Sequence, residues 1–369
     1  MKIYTAKPYV NDETCNNVVA MLKSGNIAQG EKVNEFEEVF SRYCNTKYGA
    51  AVNSGTAALH AAFFAVGIQA GDEVITTPFT FIATANSILM LGAKPVFADI
   101  IPETFNLDPD DLERKITSKT KAVIPVHLFG LIADMKKIND IAKSNNLYVI
   151  EDACQAHGAT YDGKTAGSLG DMGTFSFYAT KNITTAEGGM VVSNNKEYID
   201  IIKSFRHHGQ SPAQVYDYLR FGYNYRMTDI QATIGLGQMK EISLLNQRRL
   251  ENATIYNEEL HKLRGISIPF VPDGFKHVYH QYTIKVNKEV SGFTRDELAG
   301  ELKRHDIFPG VFYPKPLHLL KNFEKYGYKK NDLPVSEKIC EQVLSLPVHP
   351  FVPKYDIYRI VEIIAAKTR

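Results

Sequence analysis

Four cysteines are all that the 369 residues contain, and Cys15, Cys44, Cys154 and Cys340 lie far apart with no CxxC pair. Neither a zinc site nor a disulfide framework fits that spacing, so a reducing cytoplasm is the expected setting. Excess charge is missing too: 42 Lys and Arg face 41 Asp and Glu, a formal +1, and no long block of one sign occurs. Without a basic or acidic patch, nucleic acid and anionic lipid are poor candidates for partners. No apolar run approaches the length that spans a bilayer, and the opening MKIYTAKPYV has no apolar core of a signal peptide. Internal repeats and low-complexity tracts are absent, as is a GxGxxG after the first strand pattern, which counts against a nicotinamide-dependent oxidoreductase on a Rossmann sheet. A soluble protein acting on small molecules is what these absences leave.

The length suggests two or three domains with room for a real core. Residues 12–24, with Val18, Val19, Met21 and Leu22, read as a short helix, and Glu35 to Tyr43, with Phe36, Val39 and Phe40 on one face, as a second. From Tyr48 strand and helix patterns alternate: strands at 48–54, 72–78, 94–100, 121–129 and 147–153, and helices at 56–68, 81–92 and 134–146. Such alternation implies right-handed crossovers and a mostly parallel sheet covered on both faces, an α/β fold. Thr174, Ser176 and Tyr178 alternate with Phe175 and Phe177, the pattern of a half-buried strand, and a second apolar strand follows by Ser193. A long helical stretch from Thr228 to Leu263, interrupted by Gly235 and Gly237, precedes a strand at 279–286 and helices at 294–305 and 357–366. This division predicts a large α/β domain over residues 1–250 and a smaller α+β domain over 251–369, with the boundary between 245 and 265.

Three stretches carry candidate chemistry. In NSGTAAL (53–59) a strand runs into a helix through Ser54, Gly55 and Thr56, and free N–H groups at such a start suit a phosphate. Plain helix capping explains the same residues. Asp152 ends the buried strand LYVIEDA, where open α/β sheets bind ligands, and a carboxylate there needs a cation or donors. It could hold a ribose, a protonated ring nitrogen or, least well, a metal, since no acid–histidine cluster of ligand spacing lies nearby; capping of the next turn fits equally. Lys181 follows the alternating strand among Thr180, Thr184 and Thr185, placed for amine chemistry, although most lysines are simply solvated. Together on one sheet, a phosphate cradle, a strand-end acid and a turn lysine are the parts a pyridoxal phosphate site needs.

FSFYATKNITTAEGG (175–189), EDACQAHGA (151–159), FRHHGQS (205–211), FGYNYRMTDIQAT (221–233) and FYPKPLHL (312–319) are motifs shared with one family. The chain closely resembles the DegT/DnrJ/StrS sugar aminotransferases over nearly its whole length. The resemblance implies the pyridoxal-phosphate-dependent transferase fold type I, like aspartate aminotransferase, with a smaller C-terminal α+β domain. It implies Lys181 as the Schiff-base lysine and proton carrier, Asp152 facing the pyridine nitrogen, Gln155 near the ring hydroxyl and Phe81 stacked on the ring. Ser54, Gly55, Thr56 and Ser176 would hold the phosphate, while Asn224 would reach the phosphate of a neighbouring subunit, implying a homodimer with shared active sites. Tyr313 and His318 match the segment lining the sugar pocket, with His157 and Arg226 as further substrate-side residues. No metal is implied. The implied substrates are glutamate, or a similar donor, and a nucleotide-linked keto sugar; a cyclitol or non-nucleotide keto sugar is the nearest alternative. A cofactor-binding regulator is disfavoured because nothing resembles an added helix-turn-helix domain. TTAEGG is similar to enzymes acting at C-4, and QAHGA and YPKPLHL to those acting at C-3, so both positions stay open. The chain departs from many relatives at Tyr178 (histidine), Ala186 (glycine) and Leu320 (glutamine). Relatives that dehydrate sugars replace the Schiff-base lysine with histidine, so Lys181 favours transamination.

Overall fold

In the computed structural model, which describes residues 2–368, the strand patterns from Tyr48 onward assemble into one seven-stranded sheet. Its strands are β1 (Tyr48–Val52), β2 (Glu73–Thr76), β3 (Lys94–Phe97), β4 (Thr120–Val123), β5 (Tyr148–Asp152), β6 (Met172–Ser176) and β7 (Gly189–Ser193), in the order β1-β7-β6-β5-β4-β2-β3. All neighbours are parallel except β7, which runs antiparallel to both β1 and β6. The helices before and between them are α1 (Asp12–Ser24), α2 (Glu31–Tyr43), α3 (Gly55–Ala65), α4 (Ala83–Leu89), α5 (Pro109–Arg114) and α6 (Met135–Ser144); α7 (Lys196–Phe205) and α8 (Asp229–Leu260) follow.

Strand alternation sorts the apolar residues onto two faces. Ala50, Val52, Ile150, Met172 and Val191 pack with the alanine-rich α3 and with Ile199 and Ile202 of α7. Ala51, Val149, Phe175, Met190 and Val192 pack with Phe36 and Phe40 of α2, Ile138 of α6 and Ile242 of α8. Fully burying a large apolar side chain contributes about 1.5–3 kcal/mol. Strand β6 is buried on both sides, not on one as its alternation predicts, because α3 covers the face that carries Thr174 and Ser176.

Two further sequence expectations are corrected. Helix α2 begins at Glu31, four residues before the apolar pattern, because Asp229 reaches back from α8 to accept from the backbone N–H groups of Gly30 (2.8 Å) and Val33 (3.0 Å). Helix α8 is continuous through Gly235 and Gly237; a Cβ at these positions would strike Phe36 and Thr14, so the glycines admit α2 and α1 instead of breaking the helix. Helices α5, α7 and Pro334–Gln342 and the strand Val343–Leu346 have no counterpart among the elements read from the sequence.

Helix α8 links two cores. Ile242 and Leu245 belong to the sheet core, whereas Ala253, Tyr256 and Leu260 pack with Tyr282, Ile284, Leu298, Leu344 and Ile360. The second core is built on an antiparallel sheet of Ile266–Ser267, Tyr282–Val286 and Val343–Leu346, flanked by helices Arg295–Arg304 and Lys354–Thr368. Ile3–Tyr4 pairs in parallel with Ile307–Phe308, tying the start of the chain to this core. Among the described residues no helix is long and apolar enough to cross a membrane.

Candidate active site

The C-terminal ends of β5 and β6, the start of α3 and the turn after β6 open onto one cavity of about 590 Å³. Ser54, Gly55, Thr56, Phe81, Asp152, Gln155, Ser176, Lys181 and Tyr313, nine of the residues singled out from the sequence, line it together.

Ser54 caps α3 by accepting from Ala57 N–H (3.1 Å), leaving the N–H groups of Gly55 and Thr56 without a protein partner among the described residues. Their approach to β6 depends on glycine: a Cβ on Gly55 would lie 2.7 Å from Ser176 Cβ, and one on Gly189 would overlap Ser54 O and Gly55 N. The result is a helix start with free donors and the Ser54, Thr56 and Ser176 hydroxyls beside it, an anion cradle. Capping and cradle therefore coexist, since the Ser54 side chain occupies a single N–H of the first turn.

Asp152 is buried and fixed. Its Oδ2 accepts from Thr84 Oγ1 (2.7 Å) and its Oδ1 from Cys154 N–H (3.2 Å). Because the Thr84 hydrogen points at the carboxylate, Thr80 Oγ1 donates to Thr84 across 3.1 Å, and the Thr80–Thr84 pair acts as a relay that holds the acid in place. Gln155 is oriented by its Oε1, which accepts from Phe129 N–H (2.9 Å), so its Nε2 donates to Tyr313 Oη (3.3 Å). Burial pushes the Tyr313 phenol up, keeping it protonated.

Lys181 enters the cavity on a short turn closed by its own N–H to Tyr178 O (2.9 Å). Its Nζ makes no hydrogen bond or ion pair among the described residues. Burial pulls the ammonium below its usual range, opposed by the neighbouring Cys154 and Asp152, and burial wins. Among the lining residues Lys181 is the one formal cation, opposite the acids Asp152 and Glu187. Ala186, in the turn beyond, holds φ 65°, a conformation that favours glycine.

The other four candidates lie outside this cavity. His157 is fully buried among Phe40, Phe175 and Phe177, and burial lowers its pKa to about 3. His318 is buried with Nε2 3.1 Å from Glu337. Arg226 donates to His207 Nδ1 (2.7 Å), and Asn224 is exposed, with its carbonyl accepting from Asn53 Nδ2 (3.3 Å). Sequence reading missed Thr80, Thr84, Phe129, His280 and Gln281, all cavity-lining residues, from three segments of the chain. For Thr84 a weak signal existed, a hydroxyl on α4 shortly after Phe81.

The cavity's donors fit a phosphate at α3 and its acid fits a protonated ring nitrogen, as pyridoxal phosphate requires. The sequence matches the DegT/DnrJ/EryC1/StrS aminotransferase family over residues 8–365. It is 41% identical to GDP-perosamine synthase of Caulobacter vibrioides over 334 residues, covering 90% of this chain and 89% of that protein. DesV of S. venezuelae, solved in complex with a ketimine intermediate, shares the fold at a TM-score of 0.93 and 32% identity, with 98% and 99% of the two chains covered. Spr1654 of Streptococcus pneumoniae, solved in its PMP-form, does so at a TM-score of 0.94 and 30% identity, over 100% and 98%. These relatives point to pyridoxal phosphate as the cofactor. The chain belongs to the DegT/DnrJ/EryC1/StrS aminotransferase family and is a transaminase on the fold of the pyridoxal-phosphate-dependent aminotransferases.

Proposed function

We propose that this transaminase moves an amino group from an amino acid, with glutamate the expected donor, to the C-3 or C-4 keto carbon of a nucleotide-linked deoxy sugar. The observation that carries the reading is the convergence of an unpartnered, desolvated Lys181, a fixed Asp152 and the free α3 start on one cavity. The kinship with GDP-perosamine synthase supports a nucleotide-linked sugar as acceptor.

Pyridoxal phosphate, when bound, supplies an aldehyde for amines and a ring that draws electrons from the carbon losing its proton. Gly55 and Thr56 N–H, with the Ser54, Thr56 and Ser176 hydroxyls, hold the phosphate. Asp152 would present its charge to the ring nitrogen; opposite charges ~4 Å apart at an effective dielectric of ~20 attract by about 4 kcal/mol, enough to keep such a nitrogen protonated. Phe81, exposed at the cavity mouth, offers an aromatic face to the ring, and Gln155 offers Nε2 near the ring hydroxyl. Lys181, eased toward its neutral form by burial, would hold the aldehyde end of that group and move the proton with its Nζ. Tyr313 closes the substrate side, and His318 supports that segment from behind through Glu337.

The same proposal includes a homodimer. Asn224 and Arg226 stand outside their own chain's cavity, beside an exposed apolar run of Val215, Tyr216, Tyr218, Leu219 and Phe221. A second copy covering that run would bring Asn224 to its neighbour's phosphate. The division into two domains near residue 250 follows the two cores joined by α8.

The test starts from protein converted with glutamate to its aminated form. Nucleotide-linked 3-keto and 4-keto sugars should restore the original absorption band, and cyclitol or free keto sugars should not. Restoration by a cyclitol ketone alone would overturn the nucleotide-sugar reading.

A further inference from the structure

The turn that carries Lys181 has two sides. Thr180 and Lys181 line the cavity, whereas Asn182, Ile183 and Thr184 are buried behind them. Two amides of α8 reach that buried side. Asn246 Oδ1 accepts from Asn182 Nδ2 (2.8 Å), and Gln238 Oε1 accepts from the Thr184 N–H (3.2 Å). No other acceptor meets this N–H among the described residues. Gln238 is itself only 2% exposed, and its Nε2 donates to Tyr9 O (2.9 Å). The amide can stand only this way round, because a backbone N–H can only donate and a backbone carbonyl can only accept.

Tyr9 belongs to the N-terminal segment. Ile3–Tyr4 anchors that segment to Ile307–Phe308, and Thr5 and Ala6 then line the cavity. From Ala6 to Val10 the bond to Gln238 is the segment's one hydrogen bond among the described residues, beside the packing of the Tyr9 ring on Phe351 (centroids 4.6 Å). We propose that Gln238 is a positioning residue: through Thr184 it holds the Lys181 turn from behind, and through Tyr9 it holds the N-terminal segment as a fixed wall of the same cavity. The proposal rests on Lys181 as the reactive lysine. One buried amide thereby sets where that amine stands relative to the wall. An apolar side chain in its place would leave the Thr184 N–H and the Tyr9 carbonyl without partners, a loss that favours displacement of both segments toward water.

The test uses the full-length protein stripped of cofactor and two variants. Gln238→Met fills a similar volume and offers neither polar atom. Gln238→Glu keeps an acceptor for Thr184, but its ionised form cannot donate to Tyr9. In Gln238→Met, hydrogen exchange in the peptide spanning residues 182–185 should quicken about fivefold, and chymotryptic cleavage after Tyr9 should quicken as much. Attachment of added pyridoxal phosphate to Lys181, read as the borohydride-trapped pyridoxyl peptide, should slow about tenfold. At about pH 8, where its carboxyl is ionised, Gln238→Glu should show the faster cleavage together with wild-type exchange at residues 182–185. Unchanged exchange or unchanged attachment in folded Gln238→Met would overturn the proposal and leave the Lys181 assignment standing. Should Gln238→Met fail to fold, Gln238→Glu decides alone: wild-type cleavage after Tyr9, or exchange at residues 182–185 as fast as cleavage predicts, overturns it. Pyridoxyl trapped on another lysine would overturn the Lys181 assignment and this proposal together. None of these readings uses glutamate or a sugar, so they stand or fall separately from the substrate class.

Discussion

Asp152 illustrates what a single side chain owes to its neighbours. Its place at the end of an apolar strand was legible in the sequence, because a buried run stopping at an acid marks the ligand edge of a parallel sheet. The threonine pair that fixes it was not, because Thr84 lies 68 residues earlier, with Thr80 just before it, and only the fold brings them to the carboxylate. Asp152→Asn keeps the shape and removes the charge. Its kcat should fall by about a thousandfold, the loss of about 4 kcal/mol, with an unchanged far-ultraviolet circular dichroism spectrum. A variant within about tenfold of wild type, about 1.4 kcal/mol, would remove Asp152 from the charge-bearing role. His157 illustrates the opposite outcome. It stands just beyond Gln155 in a motif rich in site residues, yet its ring turns into the phenylalanine cluster behind the sheet. Burial holds His157 and His277 neutral, with pKa values of about 3 against an ordinary value near 6.5. The folded protein therefore leaves those protons off, while the unfolded chain takes them up below about pH 6.5, so this stability is present above that pH and is lost as pH falls toward about 3. Denaturant melts should show about 1 kcal/mol lost per buried histidine between about pH 7 and about pH 5.5. His157→Phe should flatten that slope by its own share, and an equally steep slope in the variant would contradict the assignment.

At the scale of elements, periodicity revealed most helices and strands, and the errors have physical causes. The start of α2 carries no capping residue of its own, since Gly30 precedes it and the cap comes from Asp229, 199 residues away. The glycines of α8 read as interruptions because a lone sequence cannot show Phe36 and Thr14 pressing on them. Local preference reports what a segment does alone, and close packing between distant segments overrules it here. Gly189 is tightly bound to the candidate site, where β7 passes directly under the start of α3. Gly189→Ala should cost about 1–3 kcal/mol of stability in denaturant melts, by overpacking, and should weaken retention of the cofactor on gel filtration. Full stability with full retention would mean that the α3 start tolerates displacement.

Across the whole molecule, the alternation of strand and helix patterns foretold the sheet, and nine of the candidate residues line one cavity, but a single chain leaves Asn224 and Arg226 outside it. A dimer with shared sites makes a strict demand on mixed subunits. Lys181→Ala and Asn224→Ala proteins should each be inactive or nearly so, whereas dimers reassembled from an equal mixture should regain about a quarter of wild-type activity. That fraction follows because half of the dimers are mixed, and each of those holds one site with both residues intact. A mixture as inactive as its components would place Asn224 in its own subunit's machinery or in none.

The assignment of Lys181 as the reactive lysine is the point on which the proposed function depends. Purified protein loaded with pyridoxal phosphate, reduced with borohydride and digested, should carry the pyridoxyl group on the peptide containing Lys181, and Lys181→Ala protein should bind the cofactor without retaining it after denaturation. A pyridoxyl group fixed to any other lysine, or to none, would contradict the assignment.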